Sequence, residues 1–160
     1  MKIDFRENPE LMDQLTLDVM PCFAIYAASN ALMRFYRRSL ADTGLTYPQY
    51  LVMMVLWETR GTTMREISDR LLLDSSTLTP LVKKLEAQGL VKRSRNRDDE
   101  RLLDVVPTDK GMALRMEGCE AALAMNARSG ETLEELQELK GRLARIRQGL
   151  DAASAGHASG

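Results

Sequence analysis

The sequence predicts a mainly α-helical chain with one small β-hairpin, and three observations predict it. Apolar residues recur at helical spacing through most of the chain. With three Phe, four Tyr and one Trp in 160 residues, the core must be built from Leu, Val, Ile, Met and Ala, a mix that favours helices. Only LVKRSR (90–95) and RLLDVV (101–106) read as strands, and the charged NRDDE between them supplies the turn.

Residues 11–40 read as one or two helices, with an apolar stripe through Phe23, Ala27, Leu32 and Phe35. Gly44 and Pro48 punctuate ADTGLTYP. QYLVMMVLWE is apolar nearly all round, as a helix at the centre of a core must be. In GTTMREISDRLLL, Thr63 and Glu66 have capping-box spacing: the hydroxyl accepts the Glu66 N–H and the carboxylate reaches back. Ile67 and Leu71 then share one face.

DSSTLTPLVKKLEAQGL is the most informative stretch. Leu78, Leu81, Val82 and Leu85 form an inner face; Ser76, Thr79, Lys83 and Ala87 lie opposite, flanked by Thr77 and Lys84. A surface helix ordinarily fills its outer face with Glu, Lys and Gln. This one presents hydroxyls, beginning at Ser75, and then lysines, with Glu86 its only acid before Gly89 ends it. Pro80 removes an interior N–H and discourages helix at Thr79, so the helix starts after Ser75 or bends in its first turn.

Beyond the hairpin, PTDKGMALRMEGCEAALAMNA returns to helix, with Thr108 as N-cap and Asp109 in the first turn. Leu136, Leu139, Leu143, Ile146 and Leu150 alternate spacings of three and four, a seam for the chain's own core or for a partner helix. AASAGHASG reads as a disordered tail, 151–160.

Composition narrows the function. The first twenty residues carry Asp4, Glu7, Glu10, Asp13 and Asp18 in place of a signal peptide, and Cys22–Met33 is too short to span a bilayer before Arg34. A cytoplasmic location without membrane attachment follows, where the two cysteines stay reduced. The single histidine, His157, argues against a metal site, and no cofactor pattern is present. Net charge is −1, but Lys83, Lys84, Lys92, Arg93, Arg95, Arg97 and Arg101 concentrate positive charge in one segment, while Glu131, Glu134, Glu135 and Glu138 lie elsewhere.

Two short helices, the second faced with hydroxyls and lysines, followed by a basic hairpin make a winged helix-turn-helix. Its second helix enters the DNA major groove while the wing reaches an adjacent groove or the backbone. Candidate DNA contacts are Ser75, Ser76, Thr77, Thr79, Lys83, Lys84, Arg93, Arg95, Arg97, Asp99 and Arg101.

ISDRLLLDSSTLTPLVKKLEAQGLVKRSRNRDDERLLDVVPTDKG resembles the MarR family of dimeric transcription regulators. The resemblance implies a MarR-like homodimer over 1–150, with dimerisation helices at 11–44 and 108–150 around a DNA-binding part at 45–107, on a pseudo-palindromic duplex operator. Asp99 and Arg101 match the family's D-x-R wing, which implies that Arg101 enters the minor groove and Asp99 orients it. CFAIYAASNALMRFY followed by GLTYPQYLVMMVLWE is similar to the organic-hydroperoxide-sensing OhrR type. That resemblance implies a redox sensor at Cys22, hydrogen-bonded by Tyr36 and Tyr47 of a second subunit, with Tyr26 lining the pocket.

A cysteine in the first turn of a helix meets the positive end of the backbone dipole and free N–H groups, which favour a thiolate able to attack an O–O bond. Cys119 leaves two readings open. The type's resolving cysteine would fall near Ala124, so Cys119 either resolves oxidised Cys22 or packs while an external thiol does so. Two rivals are a thiol peroxidase, which would not need Ser76, Lys83 or the basic wing, and a MarR-type repressor gated by a phenolic or carboxylate ligand, with Cys22 incidental.

Overall fold

A computed structural model describes residues 14–96 and 99–157, with side chains described to Ser154. The chain divides into two compact units between Arg115 and Met116.

The first unit opens with a 3-10 turn, Leu17–Val19, and helix α1, Pro21–Ser39. Pro21 takes the first helical position, where its missing N–H costs nothing. The expected stripe on α1 is core only towards its end. Residues 14–29 are exposed, Phe23 and Ala27 included; Leu32 and Phe35 are half-buried, and Tyr36 and Leu40 are buried. A second 3-10 turn, Ala41–Thr43, leads to α2, Tyr47–Thr59, which buries Tyr50, Val52, Met53, Val55, Leu56 and Trp57. That is the central helix its all-round apolarity predicts.

Strand β1, Thr62–Thr63, precedes α3, Met64–Leu71, and α4, Ser75–Ala87. Both helices pack on α2. Thr63 Oγ1 accepts the Glu66 N–H at 3.2 Å as expected, but the Glu66 carboxylate turns to the Thr62 hydroxyl, 2.6 Å away. Helix α4 begins at Ser75 in spite of Pro80, which rules out a later start. Asp74 is the reason: its Oδ1 accepts the Thr77 N–H at 2.7 Å and holds the first turn.

Strands β2, Val91–Arg95, and β3, Leu103–Pro107, form the predicted hairpin. β1 adds to the far side of β3, giving an antiparallel sheet of order β1-β3-β2 with Arg93 and Thr62 both opposite Val105. Leu40, Leu56, Ile67, Leu78, Leu85, Val91 and Val105 are fully buried beneath helices and sheet. Helix α5, Asp109–Ala113, closes this unit. The Trp57 indole donates to Gly111 O at 2.8 Å, and a Cβ on Gly111 would lie 2.1 Å from Leu90 O, so only glycine fits there.

The second unit holds α6, Arg115–Arg128, from its second residue on, and α7, Leu133–His157. Leu114 separates α5 from α6, where one continuous helix is expected. A reciprocal capping box starts α7: Glu135 Oε2 accepts from Thr132 N and Oγ1, and Thr132 Oγ1 accepts the Glu135 N–H. The helix continues to His157, so the tail read as disordered is helical that far; 158–160 lie outside the described residues. Leu139, Leu143, Ile146 and Leu150 are exposed along it. No helix among the described residues is long and apolar enough to cross a membrane.

Candidate DNA interface and cysteine site

Helix α4 carries the hydroxyl-and-lysine face outwards. Ser75, Ser76, Thr77, Lys83 and Lys84 are exposed and Thr79 is half-buried, while Leu78, Val82 and Leu85 hold the helix to the core. The hydroxyls are pre-oriented. Ser76 Oγ donates to Asp74 Oδ1 at 2.5 Å, and Thr79 Oγ1 donates back to Ser75 O at 2.7 Å. Each hydroxyl's proton is thereby committed, which leaves its oxygen to act as an acceptor. Asp74 titrates below the usual aspartate range because Ser76, then Thr77, bond its carboxylate. Sequence reasoning missed Asp74, although an Asp ahead of Ser-Ser-Thr is an N-cap pattern.

The hairpin tip is a hydrogen-bonded chain. Asn96 Nδ2 donates to both Asp104 carboxylate oxygens, at 2.9 and 3.1 Å, and Asn96 Oδ1 accepts the Asp99 N–H at 3.0 Å. Asp99 in turn grips Arg101: Nε donates to Oδ1 and Nη2 to Oδ2, each at 2.9 Å. The Arg101 side chain nonetheless remains 89% exposed, a planar cation aimed into solvent by a carboxylate behind it. Hydrogen bonding to Arg101 lowers the Asp99 pKa and raises that of Arg101, so the pair is fully ionised at neutral pH.

Arg95 is exposed, as a DNA contact must be. Arg97 lies outside the described residues. Arg93 differs from expectation: it shares a strand face with buried Val91, and its guanidinium is committed to Glu86 of α4. It braces the wing from within.

Cys22 sits at the second position of α1, directly after Pro21, exposed and in the first turn of the helix. Tyr26, one turn on, shares its face and is 63% exposed. Tyr36 and Tyr47 meet at the other end of the helix, their rings 4.5 Å apart, with Tyr50 stacked 5.4 Å from Tyr36. Phe35 packs edge-on against Tyr36, and Trp57 against Tyr50. Tyr50 escaped the sequence reading because it looks like one more apolar residue of α2. Burial raises the pKa of both Tyr36 and Tyr47, so both are neutral phenols able to donate; Tyr47 pushes Tyr36 up further, and a hydrogen bond with Tyr50 partly offsets this. Fourteen helical positions separate Cys22 from Tyr36, roughly 21 Å along the axis, so these phenols do not reach the Cys22 of their own chain. Cys119 is an exposed free thiol on α6. Among the described residues no group of three or more His, Cys, Asp or Glu could hold a metal ion.

A braced two-helix reader with an arginine-tipped hairpin is the arrangement of a winged helix-turn-helix protein. The chain belongs to the MarR family, whose sequence pattern matches residues 45–103. It is 48% identical over 140 residues to the HTH-type transcriptional regulator TtmR of Methylorubrum extorquens, covering 88% of this chain and 72% of that one. It is 36% identical to the organic hydroperoxide resistance transcriptional regulator of Bacillus subtilis, over 78% of this chain and 87% of the relative. Reduced AbfR bound to DNA superposes with a TM-score of 0.73 at 33% identity, covering 92% of this chain and 99% of that one. AbfR, from Staphylococcus epidermidis, is also known overoxidized on DNA and in a disulfide form, the latter at a TM-score of 0.61 over 88% of this chain and 95% of that one.

Proposed function

We propose that the chain is a cytoplasmic, homodimeric repressor that leaves a pseudo-palindromic operator when an organic hydroperoxide oxidises Cys22. One observation carries the reading: an exposed cysteine opens α1, while buried Tyr36 lies about 21 Å further along that helix, its neutral phenol against the half-buried, neutral Tyr47 at the start of α2. Only a second copy, packed against the exposed apolar half of α1, brings phenol donors of that kind to the sulfur. The names of the Bacillus regulator and of the reduced and disulfide AbfR structures support a thiol switch.

The Cys22 thiolate attacks one peroxide oxygen; an S–O bond forms, the O–O bond breaks and the second oxygen leaves as the alcohol. Sulfur is oxidised to the sulfenate and the hydroperoxide reduced. A second thiol, from Cys119 of the partner or a small molecule, then attacks the sulfenic sulfur, expelling water and forming a disulfide. Overoxidized AbfR is known on DNA, which favours the disulfide as the releasing state here. Ser75, Ser76, Thr77, Thr79, Lys83 and Lys84 of α4, with Arg95, Arg97 and the Asp99–Arg101 pair of the wing, contact DNA. The test is a DNA-shift titration with and without cumene hydroperoxide. Cys22→Ser should bind as wild type and ignore the peroxide; release equal to wild type would leave a ligand-gated regulator in its place.

A further inference from the structure

Gln49 is 3% exposed, a primary amide among the apolar side chains of α2. A leucine would fill the same volume with no polar atoms to satisfy, whereas a buried amide left without partners is costly. The amide is satisfied in one direction only. Gln49 Oε1 accepts from Thr46 N and Thr46 Oγ1, both at 2.9 Å; since a backbone N–H can only donate, the oxygen must face Thr46. Nε2 therefore points the other way, to Gln88 Oε1 at 3.4 Å. Gln88 Nε2 then donates to Gly44 O at 3.3 Å, a carbonyl that can only accept, which orients the second amide as well.

The two ends of this relay are the two functional elements. Thr46 is the N-cap of α2 and directly precedes Tyr47, whose ring lies against Tyr36. Gln88 is the C-cap of α4, and Lys110 Nζ holds its backbone carbonyl at 2.8 Å. The Gly44–Thr46 segment and the DNA-reading helix are thus tied by side chains thirty-nine positions apart. The bonds are long, so a small displacement of Thr46 breaks or shortens them. Helix α4 is about 20 Å long, so a tilt of about 5° at Gln88 moves its DNA-facing start by about 1.7 Å.

We infer that Gln49 and Gln88 are positioning residues that carry the state of Tyr47 to the recognition helix, so that oxidation at the tyrosine pocket changes how α4 sits in the groove. This rests on the peroxide-sensing reading above. The readout is the ratio of DNA dissociation constants, cumene-hydroperoxide-treated over reduced, in full-length protein, with Cys22 oxidation followed by thiol titration. Gln88 is exposed, so Gln88→Ala should fold, bind DNA in the reduced state within about twofold of wild type, and lose Cys22 thiol at the wild-type rate. Its oxidised-to-reduced ratio should fall about fivefold or more, within the usual range of coupling between sites. Gln49→Leu should do the same, and the double variant should be no worse than either single one, since they break one relay. If wild type responds and Gln88→Ala responds equally at equal oxidation, the relay is wrong and the sensing reading stands. If wild type binds DNA equally in both states, the sensing reading itself fails.

Discussion

The Arg93 guanidinium clasps the Glu86 carboxylate: Nε and Nη2 lie 2.8 and 2.6 Å from Oε2, and the Arg93 backbone N–H reaches Oε1 at 3.1 Å. The last turn of the recognition helix and the first strand of the wing are thereby set at one angle. Arg93→Ala should weaken DNA binding, and Arg101→Ala should add little in that background, because an unbraced wing no longer presents Arg101. Simple additivity of the two effects would show that Arg93 is an independent DNA contact.

The same pair sets an acid limit. Hydrogen bonds from Arg93 hold Glu86 below its ordinary 4.5. A carboxylate with a depressed folded pKa contributes fully above its unfolded value, and that contribution is lost as pH falls through the folded one. The brace should thus be constant from neutral pH down to about 4.5 and weaken below it. In Glu86→Gln, DNA affinity should lose part of its acid limb; an unchanged profile in an affinity titration would contradict this.

At the wing tip, Arg101→Ala should cost about 1–3 kcal/mol of DNA affinity, mainly through A·T-rich flanks. Lys83→Ala should lower affinity evenly across sequences and reduce the salt slope by about one. Asp99→Asn should behave as a milder Arg101→Ala, since it releases the guanidinium without removing it. Identical sequence profiles for wild type and Arg101→Ala would remove the minor-groove role.

Leu139, Leu143 and Ile146 are exposed along α7, as are Leu15, Leu17, Val19, Met20, Phe23 and Ile25 around the start of α1. Each of the two stretches, taken by itself, exposes more apolar surface than isolated surface residues explain. Light scattering should find a dimer at micromolar concentration, and Leu143→Asp with Ile146→Asp should give monomers that fail on a full operator. A monomeric wild type would rule out the two-subunit pocket.

The helix-turn-helix corner offers a test of stability. Leu72 caps α3 at φ 56°, a left-handed conformation that costs a side-chain-bearing residue roughly 1–2 kcal/mol, and it is 62% exposed, so little burial compensates. Leu72→Gly should raise the melting temperature, by up to about 1 kcal/mol of stability once glycine's unfolded-state entropy is counted. A lower melting temperature would mean that the leucine side chain contributes packing that its exposure conceals.

Periodicity and local stereochemistry were enough to place the helices, the hairpin and Cys22 in a first turn, because each depends on residues within a few positions of one another. Thr63 before Glu66, Thr108 before Asp109 and the short run of β2 act over one turn or one strand. Strand β1 was illegible for the same reason, since two residues carry no period. What the tertiary structure alone decided is which distant groups meet. The basic run of the wing gave no sign that Arg93 would turn inwards to Glu86. Neither the stacking of Tyr36 on Tyr50 nor the amide link from Gln49 to Gln88 leaves a mark in the sequence. Pairing across such separations depends on how the core closes the intervening chain, and many side chains of the same chemistry compete for each partner until packing selects one.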